Sequence, residues 1–129
     1  MMKLKNNQIM KKAIILIFIL SSFISNAQCW QSISSGGAFT MGLKTNGTLW
    51  AWGNNNGGQL GDGTILDKLN PTQISNNISW LTIDNGIGHT LAIKSNGTLW
   101  GWGDNSDGEI GNGATEILIP TQIGTASDW

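Results

Sequence analysis

The sequence predicts an all-β fold made of two copies of one four-stranded unit, and three observations carry that reading. The stretch Lys44-Thr45-Asn46-Gly47-Thr48-Leu49-Trp50-Ala51-Trp52-Gly53 returns 50 residues later as Lys94-Ser95-Asn96-Gly97-Thr98-Leu99-Trp100-Gly101-Trp102-Gly103. Each copy places Asn-Gly between two alternating apolar runs, the strongest short-range signal of a β-hairpin. From Gly36–Thr64 to Gly86–Ala114, 14 of 29 positions are identical, so the repeat extends well beyond the hairpin. A period near 50 with about four short strands falls in the range of propeller blades.

Residues 1–27 read as a secretory signal peptide. Lys3, Lys5, Lys11 and Lys12 precede the apolar run Ala13–Leu20, and a Ser-x-Ala site ends at Ala27. The apolar core is shorter than the roughly 20 residues of a spanning helix, and Gln28 before Cys29 does not suit a lipoprotein site. The expected location is secreted, periplasmic or cell-surface, with no membrane insertion after cleavage. The mature chain from Gln28 to Trp129 has 102 residues, three lysines against eight acidic residues, no arginine, and a net charge of −5. Nucleic-acid binding needs cations to neutralise phosphates, and this composition argues against it. Cys29, the lone cysteine, cannot close an internal disulfide and reads as a small apolar strand residue.

The first unit is expected over 28–79 and the second over 80–129. Each begins with a short strand near Trp30 or Trp80. The two hairpin strands follow. A type I′ turn at Asn46-Gly47 would place Leu43 opposite Trp50 and Met41 opposite Trp52. Its copy would set Ile93 opposite Trp100 and Leu91 opposite Trp102. One face would then be bulky and the other small, with Ala38, Thr40, Gly42 and Ala51, then Gly88, Thr90, Ala92 and Gly101. Such sheets suit stacking of bulky face into small face.

A glycine-rich loop comes next, Gly58-x-x-Gly61-x-Gly63 and its copy Gly108-x-x-Gly111-x-Gly113. With no helix pattern after it and no cation beside it, it reads as a tight turn pinned by Leu60 or Ile110 rather than as a phosphate cradle. A last short strand is expected after Pro71 or Pro120. Trp129 falls at the phase of Trp30 and Trp80, as though a third unit began there. Two blades leave open faces and edges, so the expectation is further repeats in cis, the chain being a fragment, or self-association to close the ring.

These residues resemble the repeats of the regulator of chromosome condensation family. The resemblance lies in Gly86-x-x-His89-Thr90-Leu91-x-Ile93, Gly97-x-Leu99-Trp100-x-Trp102-Gly103, Gly58-Gln59-Leu60-Gly61-x-Gly63 and the following Pro71, and it covers residues 30–129. It implies two blades of a β-propeller, seven-bladed in the family's namesake. The repeat motif then comprises Trp50, Trp52, Gly53, Gly58, Leu60, Gly61 and Gly63, with Gly86, His89, Trp100, Trp102, Gly103, Gly108, Ile110, Gly111 and Gly113. Phe39 replaces the family's histidine in the first copy, Asp84-Asn85 replace small residues, and Gly108-Glu109-Ile110-Gly111 replaces the Gln-Leu form. The namesake's exchange-factor role on chromatin does not suit an exported acidic chain; exported members resemble inhibitors or adhesin modules.

No catalytic, cofactor or metal site is expected. His89 is the only histidine, and its counterpart Phe39 marks it as a packed, hydrogen-bonded residue. Asp104–Glu109 looks like a calcium loop, but an EF-hand register would put Gly103 and Ala114 at the ligand positions. The sequons at Asn46 and Asn96 are explained by the turns, a third lies at Asn77, and the seven tryptophans fall in register between copies, as core residues would. The expected function is a non-catalytic scaffold that binds a protein or glycan through loops. The candidate residues are Asn54, Asn55, Asn56, Asp104, Asn105 and Asp107, within loops that differ between copies while the hairpins agree. The alternative is part of a propeller hydrolase or lyase, for which Asp84 beside the His89 strand is the one candidate here.

Overall fold

The computed structural model describes residues 29–75 and 79–129; the leader at 1–27 and the Asn77 sequon lie outside them. The described chain forms eight strands: β1 (Trp30–Ser35), β2 (Phe39–Lys44), β3 (Leu49–Gly53), β4 (Lys68–Ser75), β5 (Trp80–Asn85), β6 (His89–Lys94), β7 (Leu99–Asp104) and β8 (Glu116–Gln122). They make two four-stranded antiparallel sheets, ordered β1-β2-β3-β4 and β5-β6-β7-β8. These are two blades, and the ring is open. β4 and β8 begin before their prolines and carry Pro71 and Pro120 within the outermost strand, where a missing N–H costs no ladder bond on the free side.

The hairpins differ from the expected register by one residue. Leu43 pairs with Leu49, Gly42 with Trp50, Met41 with Ala51 and Thr40 with Trp52; the second copy repeats this as Ile93 with Leu99, Ala92 with Trp100, Leu91 with Gly101 and Thr90 with Trp102. The connection is the longer form, in which a type I turn is followed by one left-handed glycine. Gly47 (φ 77°) and Gly97 (φ 78°) take that place, and no residue other than glycine has positive φ among the described residues. Gly47 N donates to the Lys44 carbonyl and Lys44 N to that of Thr48.

A one-residue slip changes which side chains share a face. Each blade therefore has a tryptophan face and an aliphatic face, not a bulky and a small one. In the first blade, Trp30, Ile33, Trp50 and Trp52 lie on one side and Met41, Leu43, Leu49 and Ala51 on the other. Trp30 lies edge-on to Trp50, ring centroids 6.3 Å apart, and tilted against Trp52 at 5.8 Å. Trp80 repeats this with Trp100 and Trp102 at 5.9 and 5.7 Å. Gly42 admits the Trp30 ring, since a Cβ there would stand 2.4 Å from it.

The core sits between the blades. The aliphatic face of the first, with Phe39 and Leu60, packs against Trp80, Ile83 and Trp102 of the second. Trp80 is 4% exposed there, whereas Trp30, on the face no blade covers, is 39% exposed. Covering a tryptophan to that extent stabilises by about 2 kcal/mol. Polar contacts cross the same junction. Gly37 N donates to the Ile87 carbonyl at 3.1 Å. Asn85 donates its backbone N–H to Ser34 Oγ and its side-chain amide to the Ser34 carbonyl, at 3.0 and 2.9 Å.

Candidate functional site

The loops between the third and fourth strand of each blade, 54–67 and 105–115, with Asp104 at the end of β7, hold the residues singled out for binding. Each loop is built around one asparagine. Asn55 is fully buried; its Oδ1 accepts from Leu60 N at 2.9 Å, and its amide donates to Asp62 Oδ1 at 3.1 Å and the Thr64 carbonyl at 2.8 Å. Asn105, 3% exposed, accepts from Ile110 N at 2.7 Å and donates to Asn112 Oδ1 at 3.0 Å and to the Ala114 carbonyl. A buried asparagine whose amide is spent on loop carbonyls cannot face a partner. Asn55 and Asn105 are therefore loop anchors and leave the set of partner-facing candidates.

The glycines follow from the same geometry. Gly58, Gly61 and Gly63 have φ of 70°, 74° and 79°, and Gly108, Gly111 and Gly113 of 84°, 73° and 80°, which only glycine adopts without strain. Leu60 and Ile110 are buried beneath them. Gly61 lies against the Trp102 indole of the next blade, and Gly58 against Leu118, whereas Gly108, Gly111 and Gly113 have nothing within 4 Å.

Around these anchors the exposed chemistry diverges. In the first loop Asn54 accepts from the Gln59 amide at 2.8 Å and from Asn56 N at 3.3 Å. In the second, Asp104 stands at that place and accepts from Ser106 N at 3.0 Å, while Asp107 N donates to Glu109 Oε2 at 3.1 Å. Hydrogen bonds from Ser106, with the nearby charge of His89, hold the Asp104 carboxyl below its ordinary range. Asp62 pairs with Lys68 at 2.9 Å. Burial raises its pKa, but Lys68, Thr64 and Asn55 together hold it below the ordinary value. The second copy replaces this ion pair by Asn112 and Ile117, a neutral pair at the same positions.

His89 lies close enough to the Asp104 carboxyl to help lower its pKa. Asp84 pairs across the sheet with Leu91 and lines the open face of the second blade. The imidazole is half-buried and rests on Gly86, as the Phe39 ring rests on Gly36; a Cβ would stand 2.2 and 2.1 Å from the two rings. Cys29 is exposed and precedes β1, so it is no strand residue; its carbonyl accepts from Thr45 N at 3.0 Å. Among the described residues no three His, Cys, Asp or Glu side chains gather as metal ligands.

Comparison with known proteins agrees with this geometry. Two profiles of the regulator of chromosome condensation (RCC1) repeat match the sequence, one over residues 46–93 and the other over 30–59 and 86–109. The fold is similar to that of Prp20p from Saccharomyces cerevisiae, whose structure was described with its binding to Gsp1p and histones. The TM-score is 0.71 at 20% identity, over 79% of this chain and 27% of that one. Yeast RCC1 (Prp20) with Kap60 bound gives 0.70 at 21% identity, over 77% and 25%. Human WBSCR16 gives 0.68 at 19%, over 76% and 26%. The chain spans about a quarter of the length of these structures. No curated protein matches it.

Proposed function

Because the chain belongs to the RCC1-like repeat family, we propose that it is a non-catalytic propeller module of an exported protein that binds a protein partner through its third-to-fourth-strand loops. One observation carries this reading. The two loops share their anchor, Asn55 or Asn105, and their glycine turns, but display different side chains: Asn54, Asn56 and Gly57 in one, Asp104, Ser106 and Asp107 in the other. A rigid frame with varied exposed residues is what a recognition surface requires. Similar folds bind proteins: Prp20p binds Gsp1p and histones, and yeast RCC1 binds Kap60. Fold alone does not name a partner. The acidic second loop favours one with a basic surface, and the basic, apolar start of the leader is the basis for placing the module outside the cytoplasm.

Site-specific photo-crosslinking in the producing cell tests the proposal. A photoreactive residue at Asn56 or Asp107 is expected to capture a discrete protein, and one at Thr45, on a hairpin turn, is not. Capture equal at all three positions, or at Thr45 alone, would contradict it.

A further inference from the structure

We infer that Asn56 is a site of spontaneous covalent modification, where asparagine converts to aspartate or isoaspartate while the fold holds the other Asn-Gly steps of the chain intact. The sequence has five such steps: Asn46-Gly47, Asn56-Gly57, Asn85-Gly86, Asn96-Gly97 and Asn112-Gly113. Glycine has no Cβ, so its backbone nitrogen can closely approach Cγ of the asparagine before it. That nitrogen gives up its proton and bonds to Cγ; the Cγ–Nδ2 bond breaks, and Nδ2 leaves with the proton as ammonia. Water then opens the cyclic imide at either carbonyl, giving aspartate or isoaspartate. No oxidant, reductant or enzyme is needed. The attack requires the carboxamide to swing toward the glycine nitrogen, so hydrogen bonds on either group must first break.

Four of the five carboxamides are tied down. Asn46 Oδ1 accepts from Thr48 N and Thr48 Oγ1 at 3.1 and 2.7 Å, and Asn96 Oδ1 from Thr98 N and Thr98 Oγ1 at 3.3 and 2.7 Å. Asn85 Nδ2 donates to the Ser34 carbonyl at 2.9 Å. Asn112 Oδ1 accepts from Asn105 Nδ2 at 3.0 Å and from Ala114 N at 3.2 Å. Backbone carbonyls also hold the attacking nitrogen in three of these steps: Gly47 N donates to Lys44, Gly97 N to Lys94 and Gly86 N to His89, at 2.8, 2.8 and 2.9 Å. Asn56 differs on both counts. It is exposed, and its carboxamide makes no hydrogen bond among the described residues. Gly57 N donates at 2.8 Å to Gln59 Oε1, a side chain that is itself steadied by donating from Nε2 to Asn54 Oδ1 at 2.8 Å. Rotation of the Gln59 carboxamide frees the nitrogen without opening a strand or a turn. The second loop keeps this clamp, with Asp107 N donating to Glu109 Oε2, but has Ser106 where the first has Asn56. The reactive step therefore belongs to the first loop alone. Gly57 faces the second blade, where a Cβ on it would stand 3.5 Å from Asp104 Cβ. The new negative charge thus arises one residue from an existing carboxylate, and isoaspartate adds a methylene to the loop backbone there.

Peptide mapping by mass spectrometry, with asparagine, aspartate and isoaspartate separated, tests this on the chain as the cell delivers it. The folded chain is incubated at neutral pH beside the same chain in urea. Folded, conversion at Asn56 is expected to run roughly tenfold ahead of that at Asn46, Asn85, Asn96 and Asn112, since fewer hydrogen bonds must break. In urea the five sites should convert at similar rates. Gln59→Met removes the acceptor for Gly57 N and should speed conversion at Asn56 while the other four sites keep their rates. Gln59→Glu keeps an acceptor there, as Glu109 does for Asp107 N, and should not. A folded chain in which another site leads, in which all five convert alike, or in which Asn56 stays intact while the urea sample converts, overturns the inference. So does a folded Gln59→Met variant in which Asn56 converts no faster than in the parent.

Discussion

The Trp102 indole of the second blade lies flush against Gly61 of the first: a Cβ on Gly61 would stand 2.6 Å from the indole nitrogen. Gly61 is needed twice, for its φ of 74° and for the absence of a side chain. Gly111, with φ of 73° and nothing within 4 Å, is needed once.

The two glycines should therefore differ on substitution. In dilute solution Gly111→Ala is expected to cost the strain of a left-handed residue, about 1–2 kcal/mol. Gly61→Ala adds overpacking against a buried ring, for a total of about 3 kcal/mol or more. Urea unfolding of both variants measures the gap; equal costs would mean that Trp102 does not rest on Gly61.

Asn55→Ala should unfasten the first loop. It leaves Leu60 N and the Thr64 carbonyl without their partner, at a cost of about 2–4 kcal/mol. Hydrogen exchange should show the Leu60 and Thr64 amides losing protection while β2 and β3 keep theirs. Asn56→Ala, at an exposed neighbour, should change stability by less than about 0.5 kcal/mol.

Acid should weaken the first blade through Asp62. Its folded pKa lies below the ordinary 3.8, so its contribution is complete above that value and is lost as pH falls through the folded pKa. Partial exposure keeps the effect below about 1 kcal/mol. Asp62→Asn should fold, since Asn112 fills the same place, and should flatten the decline in stability below pH 4 or so. An unchanged acid limb would show that Asp62 and Lys68 are not paired in solution.

Alkali should act oppositely through Lys94, whose ammonium sits 3.5 Å from the Trp100 ring centroid and 4.7 Å from that of Trp80. Burial lowers its pKa from 10.5. The folded chain then gives up this proton before the unfolded one, so stability rises with pH between the folded pKa and 10.5. Lys94→Met should abolish that rise, as read from unfolding midpoints across the alkaline range; a rise that persists would place its source elsewhere.

Much of this was legible in the sequence. The repeat at 50 residues, the hairpins and the positive-φ glycines follow from Asn-Gly placement and spacing alone. The register was not, because Asn-Gly serves both a two-residue turn and a type I turn with one left-handed glycine. Thr48 held the missing signal. Its N–H and hydroxyl both bind Asn46 Oδ1, at 3.1 and 2.7 Å, and its hydroxyl accepts from Trp50 Nε1 at 3.0 Å. That arrangement favours the longer connection, and Thr98 repeats it with Asn96 and Trp100. Pattern alone does not tell an inward polar side chain from an outward one, so the sequence does not show that Asn55 and Asn105 are buried. Their identity between copies, amid neighbours that differ, was the clue.

The blade junction is the claim on which the loops, the glycine pattern and the open faces all depend. Proton NMR distances from the Trp102 indole test it most directly. The structure predicts cross-peaks from that ring to the Gly61 Hα protons. An indole that contacts only its own blade, with none to Gly61, would contradict the account.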